Sequence, residues 1–547
     1  MDAERRNAEQ AAAIEKAEAE AVWQKNAAEA AAWTEGLKKP KSDIGVKELN
    51  NPEASSITQH FVGNTPQFHE QVITSYPGAA GLPSKRDINS SLLLGEDILS
   101  TRKLSWKVAI RNAIINGIFS LALVYAISAY FTVKPAHPFQ AFNSLTSSSL
   151  GTCSWETLQS HVSLLDVPAI SRKEFLSRQA KLAAALDAAG VDAFIAEPSA
   201  STSYYANISS SFELSERPFL VLISKNGEFS YLAPKFELGR IAGLEMVYES
   251  KSVYEWKEEE VPYEVLKRET GFKKVMLDEH VRYMIAAGLE EAGVEVVGMS
   301  KEVQQLRAVK TEGELAILRG INEFTLELVR SLQKCIKIGM TQEAVFDAAE
   351  TLFSRAGVGE GYWAIILFGE QAANPHGGSL GKTLSDGEFV LIDIGSKLYD
   401  YGSDVTRTVL PSTGNVSKYL WEVWQVVHAS QSAAISLMQV NETCSDVDAA
   451  SRAVITNAGS GEFFTHRLGH GLGLEMHEHP YLNGANAEKL KAGEVVTNEP
   501  GIYVTTEQAK SLGRDVGYGV RIEDAILVTE DGGVPLTGSR AKSPYEP

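Results

Sequence analysis

Helical and strand patterns alternate over residues 155–303. Residues 172–190 have the pattern of an amphipathic helix that ends at a glycine. Short apolar runs predict strands at VDAFIAEP, FLVLISKNGEFSYLAP, KKVMLDE and EVVGM, and Asn226-Gly227 in the second run is a hairpin signal. Because helices lie between these strands, the pattern favours a small α/β domain.

A second domain is predicted after the first. It begins near Thr311 and Glu314, which have the spacing of a capping box at the start of a helix. That helix would place its apolar side chains inward, and these are Leu315, Leu318, Leu326 and Val329. The first domain is therefore followed by a larger one.

An apolar segment precedes both domains. Residues 113–133 run for 21 positions without a charge, and about 20 such residues span a membrane. Basic residues lie on its amino side, at Arg102, Lys103, Lys107 and Arg111, so the positive-inside rule leaves residues 1–112 in the cytosol. These residues predict a partly helical tail followed by disorder. We expect a single-pass membrane protein whose later domains are lumenal or extracellular; the alternative is a buried core helix in a cytoplasmic protein.

The charge balance is acidic. Lysine and arginine number 51 against 70 aspartates and glutamates, a formal net charge of -19. Such a chain repels a phosphate backbone, so no nucleic-acid partner is predicted. The composition favours an enzyme over a nucleic-acid binder.

Two further features concern the cellular compartment. Beyond the apolar segment, glycosylation sequons begin at Asn207, Asn415 and Asn441, and they are compatible with a eukaryotic secretory compartment. The three cysteines are widely spaced, so at least one stays unpaired within the chain and no disulfide framework is implied. The cysteine count alone does not indicate the compartment.

Five side chains of metal-binding type lie in the last third of the chain, in an order suited to two metal ions. They are Asp393, Asp404, His470, Glu499 and Glu523. The acids fall in segments predicted as buried or half-buried strands, where an unpaired carboxylate costs several kcal/mol. Divalent cations would cancel this charge, and four carboxylates with one imidazole suit their ligand preferences.

The spacing of the two aspartates predicts that they meet. The apolar runs 389–394 and 398–410 are separated by residues 395–397, which favours a hairpin with a short loop. Asp393 near the end of the first strand and Asp404 within the second would face each other across the ladder.

Arg521 and Glu523 are two residues apart on a predicted strand, and period-two alternation puts both on one face. A bridging carboxylate would then lie beside a fixed cation. The alternative for any single acid in the set is an ordinary exposed position at a strand edge.

The ordered Asp, Asp, His, Glu, Glu series and its flanking residues resemble the metallopeptidase family that includes methionine aminopeptidase, prolidase and Xaa-Pro aminopeptidase. The resemblance covers about residues 305–540 and implies an α+β, pita-bread catalytic domain. It implies that all five side chains are metal ligands, with one metal bound by Asp393, the other by His470 and Glu499, and both bridged by Asp404 and Glu523.

Residues 155–303 resemble the amino-terminal domain of prolidases, Xaa-Pro aminopeptidases and creatinase, which methionine aminopeptidases lack. This implies a proline-directed exopeptidase whose substrates are peptides with proline at the second position. The resemblance assigns substrate contact or catalysis to four side chains: His376 in ANPHGG, His477 in LEMHEHP, Glu499 and Arg521.

The implied chemistry is hydrolysis of the peptide bond by a water that two divalent cations activate. His376 would stabilise the oxyanion, His477 would assist the leaving nitrogen, and Glu499 would also shuttle protons. Oxygen-rich ligation favours manganese, with cobalt, zinc or iron as alternatives.

Two other functions are compatible with the same resemblance. One is a non-peptidase that acts on a C–N or C–S bond of a small molecule, although creatinase-like members lack the metal ligands retained here. The other is an inactive binding protein, against which the five retained ligand types argue. Fold alone does not identify the substrate, so dipeptides and longer peptides stay open, as do the native metal and the oligomeric state, with a homodimer among the alternatives.

Overall fold

The computed structural model describes residues 149–378 and 380–547. The predicted tail over residues 1–112 and the predicted membrane segment over residues 113–133 lie outside this part of the chain. Within the described residues, the helices are too short or too polar to cross a membrane.

A short helical segment leads into the first domain. Residues 149–158 are α-helical and continue as a 3-10 helix over Gln159–Leu165. A disulfide joins Cys153 to Cys335, with 6.0 Å between the Cα atoms, and Cys444 is a buried free thiol. The prediction that at least one cysteine stays unpaired is confirmed, but the Cys153–Cys335 pair was not foreseen because its members are 182 residues apart.

The first domain has one mixed sheet with helices between its strands, in agreement with the predicted α/β domain. Its strands follow the order β4-β3-β2-β1-β5-β6. The strands are β1 (Ala193–Ala196), β2 (Leu220–Ser224), β3 (Phe229–Pro234), β4 (Lys251–Trp256), β5 (Lys274–Leu277) and β6 (Glu295–Gly298). The helices are α1 (Arg172–Ala188), α2 (Ala200–Ala206), α3 (Leu238–Ile241), α4 (Pro262–Thr270), α5 (Tyr283–Glu291) and α6 (Lys301–Ala308), with a 3-10 turn at Lys235–Glu237.

Local sequence explains two of these elements. Ser171 caps α1 by accepting the Glu174 backbone N–H, and Gly190 after its end has φ +67°, a conformation that glycine adopts without strain. The β2–β3 hairpin turns at Gly227, whose φ is +80°, as the Asn-Gly pair predicted.

The second domain begins with α7 (Glu312–Cys335), whose predicted capping box is present. The Thr311 hydroxyl accepts the Glu314 backbone N–H, and the Glu314 carboxylate accepts the Thr311 backbone N–H. The other helices are α8 (Gln342–Arg355), α9 (Lys418–Ile435), α10 (Cys444–Asn457) and α11 (Thr506–Ser511), with 3-10 turns at Gly369–Ala373 and Gly461–Phe463. Leu318, Leu326 and Val329 of α7 are buried in the core, as the apolar pattern predicted.

Antiparallel strands form the rest of this domain. The strands are β7 (Trp363–Phe368), β8 (Val390–Gly395), β9 (Lys397–Leu398), β10 (Tyr401–Gly402), β11 (Val405–Val409), β12 (Gly469–Gly471), β13 (Glu478–Leu482), β14 (Val495–Asn498), β15 (Gly501–Val504), β16 (Tyr518–Arg521), β17 (Asp524–Thr529) and β18 (Gly532–Pro535). They assemble in the orders β11-β8-β7, β13-β12-β14-β17-β18, β15-β16 and β10-β9.

The predicted hairpin between β8 and β11 is present, but its loop is longer than the sequence indicated. The two strands pair antiparallel, with Val405 opposite Ile394. Between them, β9 and β10 form a small second hairpin that turns at Tyr399 and Asp400, whose φ angles are +50° and +67°. The predicted turn at residues 395–397 was therefore wrong, because the chain reverses where two successive positive φ angles match the twist of paired strands.

Candidate metal centre

The two aspartates lie on one face of the β8–β11 pair. Asp393 is in β8, directly opposite Thr406. Asp404 lies just before β11 instead of within it, and it shares the face of Thr406 because it is two residues away. Helix α7 holds the backbone of Asp404 in place, because the Asp404 N–H donates to the side-chain oxygen of Asn322 in that helix at 3.1 Å.

Arg521 and Glu523 do not lie on one strand, so that prediction was wrong. Arg521 ends β16, which pairs with β15, whereas Glu523 precedes β17, which pairs with β14. The chain changes sheets between them. Both side chains nevertheless meet at Thr406, whose hydroxyl donates to the Glu523 carboxylate at 2.7 Å and accepts from the Arg521 guanidinium at 3.2 Å.

His470 comes from β12 and Glu499 follows β14. The Nδ1 atom of His470 lies 3.1 Å from the carbonyl oxygen of Gly471, which can only accept a hydrogen bond. In the neutral ring the proton is therefore on Nδ1, and Nε2 carries a free lone pair. That Nε2 atom lies 3.3 Å from Glu499 and 3.7 Å from Asp404.

The five predicted ligands come together in overlapping groups. Ligand atoms of Asp393, Asp404 and Glu523 lie within 4.8 Å of one another, and so do those of His470, Glu499 and Glu523. Glu523 belongs to both groups, so the arrangement fits two adjacent cations that share it.

The electrostatics of this cluster also fit cations. Burial, followed by repulsion from neighbouring acids, raises the pKa of Asp404 and of Glu523 well above the usual range. Burial raises the pKa of Asp393 as well, although Arg521 opposes the shift. The buried atoms Asp393 Oδ1 and Glu523 Oε1 have no hydrogen-bond partner among the described residues. Unpartnered carboxylate oxygens in a buried, repulsive cluster are what a divalent cation would stabilise.

Glu499 differs from the other three acids. Burial disfavours its charge, but the hydrogen bond and charge of the protonated form of His470, with further help from His466 and Arg521, bring its pKa to about 2 when no metal occupies the Nε2 lone pair. Glu499 is therefore ionised at neutral pH before any metal binds.

His477 lies beside the cluster, and His376 is in a loop near it. The His477 ring meets the His470 ring edge-on, with 4.3 Å between centroids. Loss of solvent, then the charges of His470 and Arg467, lower the pKa of His477 to about 4, and His376 contributes to this shift. Both rings are exposed. Solvent therefore reaches both rings, unlike the buried His470 beside them.

Three residues of the site were not predicted: Thr406, His466 and Tyr503. The Tyr503 hydroxyl lies 2.8 Å from His466 Nε2 and accepts from Arg521 at 3.0 Å, while Arg521 donates to Asp393 at 2.5 Å. Thr406 could have been predicted, because it is two residues after Asp404 and side chains two apart on a strand lie on the same face. A single histidine in a loop and a tyrosine in a strand carry no chemical signature of their own.

A buried ionic network connects the first domain to the segment that carries His477. Arg307, from α6, forms ion pairs with Glu475 and Glu478 and donates to the Ser201 hydroxyl. Lys310 lies 2.5 Å from Glu478, and their side chains are 1% and 5% exposed. Burial opposes ionisation of Glu478, but Lys310 and Arg307 lower its pKa below the usual range. Glu478 is adjacent to His477, so both domains hold this part of the site.

Replacing Lys310 by methionine should lower the free energy of unfolding by about 3 kcal/mol, because it leaves the buried Glu478 carboxylate short of its nearest cation. Urea denaturation of the two proteins measures this difference. Lys542→Met is the matched control, since the Lys542–Glu546 pair is 76% and 64% exposed and should cost less than about 1 kcal/mol. Equal losses in the two variants would contradict a structural role for the buried pair.

The comparisons with known proteins agree with this architecture. Residues 178–309 match the model of the creatinase/prolidase N-terminal domain, and residues 316–530 match that of metallopeptidase family M24. An uncharacterized peptidase of Schizosaccharomyces pombe is 42% identical over 391 residues, which cover 69% of this chain and 84% of the relative. The fold is thus that of a two-domain metallopeptidase. The chain belongs to metallopeptidase family M24.

Solved structures of similar fold are available for this family. A Xaa-Pro dipeptidase from Bacillus anthracis is 28% identical with a TM-score of 0.56, over 68% of this chain and 98% of that one. An X-Pro aminopeptidase from Thermotoga maritima is 28% identical with a TM-score of 0.56, over 66% of this chain and 97% of that one. The pita-bread catalytic domain and its creatinase-like partner, expected from the sequence, are confirmed.

Proposed function

We propose that this protein is an exopeptidase that depends on two divalent metal ions and hydrolyses Xaa-Pro bonds at the amino terminus of peptides. The observation that carries the proposal is the pair of overlapping ligand groups that share Glu523. The similarity to a Xaa-Pro dipeptidase and an X-Pro aminopeptidase supports the substrate class.

The residues present fit such a metal pair. Four carboxylates and one imidazole nitrogen converge in a buried cluster, and two of the carboxylate oxygens lack other partners among the described residues. Asp393, Asp404 and Glu523 would hold one ion, and His470, Glu499 and Glu523 the other. Oxygen-rich ligation favours manganese over softer ions. When bound, the ions would lower the pKa of a water molecule and polarise the scissile carbonyl.

The protein's own side chains would do the rest. Arg521 holds Asp393 and the Tyr503 hydroxyl, so it fixes one wall of the cluster. Glu499, ionised at neutral pH, would take the proton that leaves the attacking water. His376 would donate to the oxyanion, and the neutral His477 ring would pass a proton toward the leaving nitrogen.

A peptide panel tests the substrate class. We expect Ala-Pro or Ala-Pro-Ala to be hydrolysed about 10-fold faster or more, by kcat/KM, than Ala-Ala or Ala-Ala-Ala in manganese-supplemented buffer. Faster hydrolysis of Ala-Pro than of Ala-Pro-Ala would indicate a dipeptidase, and the reverse would indicate an aminopeptidase. Equal rates on proline and alanine peptides would contradict proline selectivity, and no hydrolysis of any peptide would contradict a peptidase.

A further inference from the structure

Two of the three sequons beyond residue 133 lie on the loops at the two ends of helix α9, which the catalytic centre does not use. Asn415 is three residues before Lys418, where the helix begins after its Ser417 cap. Asn441 lies in the loop between α9 and α10. Both asparagines are exposed. An α-helix of 18 residues is about 27 Å long, so bulky groups at the two ends would not compete for space.

The folded structure leaves room for a modification at Asn415. Its side-chain oxygen accepts the backbone N–H of Val416 at 2.8 Å, a bond that a glycosylated asparagine can still make. The backbone just before it is held by the Tyr545 hydroxyl, which donates to the Gly414 carbonyl at 2.8 Å. The loop is therefore held through its backbone, and Asn415 is exposed although its side-chain oxygen accepts the Val416 N–H.

Asn441 is placed in a similar way. Its backbone N–H donates to the Leu490 carbonyl at 3.0 Å, and its φ of +71° is a left-handed conformation that asparagine tolerates. The third residue of its sequon, Thr443, caps α10 by accepting the Asp446 backbone N–H. Again the backbone is held while the asparagine side chain is exposed.

Asn207 differs from these two. Its side-chain nitrogen, the atom that would carry a glycan, donates to the Glu245 carbonyl at 2.8 Å. The Ser209 hydroxyl of the same sequon is also engaged, with Asp400 at 3.0 Å. This sequon is part of the contacts between the first domain and the β9–β10 turn, so a glycan there would disturb the fold.

The disulfide is a second and independent sign of the compartment. Cys153 and Cys335 are bonded, and disulfides persist mainly in secreted proteins and in the lumen of the secretory pathway. Sequons are modified in that same lumen. One compartment thus accounts for both features, and it is the side of the membrane on which the charge bias around residues 113–133 would place these domains.

We propose that the described part of the chain folds in the secretory lumen and carries N-linked glycans at Asn415 and Asn441. This modification is independent of the peptidase function and needs neither metal nor substrate.

The test is expression of the full chain in a eukaryotic cell, followed by treatment with peptide N-glycosidase F and gel electrophoresis. The treatment should shift the wild-type protein by the mass of two glycans. It should shift Asn415→Gln and Asn441→Gln by the mass of one glycan each. Asn207→Gln is the matched control and should leave the pattern unchanged. Mass spectrometry after deglycosylation should find aspartate at positions 415 and 441, and a non-reduced digest should contain the Cys153–Cys335 linkage.

A wild-type chain whose mobility the glycosidase does not change would overturn the proposal. A shift that disappears in Asn207→Gln but survives in the Asn415→Gln/Asn441→Gln double variant would overturn the assignment of sites. Ser417→Thr keeps both the helix cap and the sequon, so its pattern should equal that of the wild type. Peptidase activity measured on the same samples separates this result from the proposed function, because an active chain without glycans refutes only the glycosylation.

Discussion

Glu523→Gln should lower kcat/KM for a Xaa-Pro peptide by about 10³-fold, equivalent to about 4 kcal/mol of transition-state stabilisation. Glutamine keeps the size of the side chain but removes a charge and one of the two oxygens that would reach both ions. Because Glu523 is common to both ligand groups, its loss affects both positions. Elemental analysis should therefore show fewer than two ions per chain.

The matched control is Glu494→Gln, which removes a different buried carboxylate. The pKa of Glu494 is raised by burial, like that of Glu523, but its oxygen bonds the Lys491 backbone N–H outside the cluster. A glutamine oxygen can accept the same bond, so activity and metal content should stay close to wild type. Similar losses in both variants would mean that Glu523 acts only through general stability.

His477→Ala should reduce kcat/KM by about 10²-fold while the protein keeps its metal, because the ring lies at the exposed side of the cluster. His376→Ala should have a similar effect. The metal measurement is essential for His477, since its ligand atom lies within 4.8 Å of those of Asp404 and His470. A loss of metal together with activity would identify His477 as a ligand instead of a group that faces the substrate.

His161→Ala serves as the control for both histidine variants. His161 lies in the helical segment before the first domain, far along the chain from the cluster. Its Nε2 atom is 3.6 Å from a carboxylate oxygen of Glu327 in α7. Its removal should leave kcat/KM within about twofold, as expected for a surface substitution. Unchanged kcat/KM in His477→Ala and His376→Ala would contradict the roles given to these two side chains.

Much of this fold was predictable because its local signals are strong. The Asn226-Gly227 turn, the glycine after α1 and the capping box at Thr311 each fix an element through a short-range rule. The five metal-binding side chains were predictable as a set for a different reason. Acids in apolar strands need compensation, and that requirement is visible without knowing any contact.

The errors arose where long-range pairing decides the structure. Residues 395–397 have the composition of a turn, but the chain reverses at Tyr399 and Asp400. Arg521 and Glu523 have strand spacing, yet the chain passes from one sheet to another between them. The roles of Tyr503 and of the Lys310–Glu478 pair depend on neighbours that are distant in sequence. Neither the spacing of apolar residues nor the composition of a segment can predict such contacts.

The most direct test of the metal centre is a crystal structure of the manganese-loaded protein with anomalous data at the manganese absorption edge. We predict two anomalous peaks within the cluster, one beside Asp393 and Asp404 and the other beside His470 and Glu499, with Glu523 near both. No peak among these five side chains, or peaks only at the separate surface group of Glu279, His280 and Glu475, would contradict a dinuclear peptidase centre.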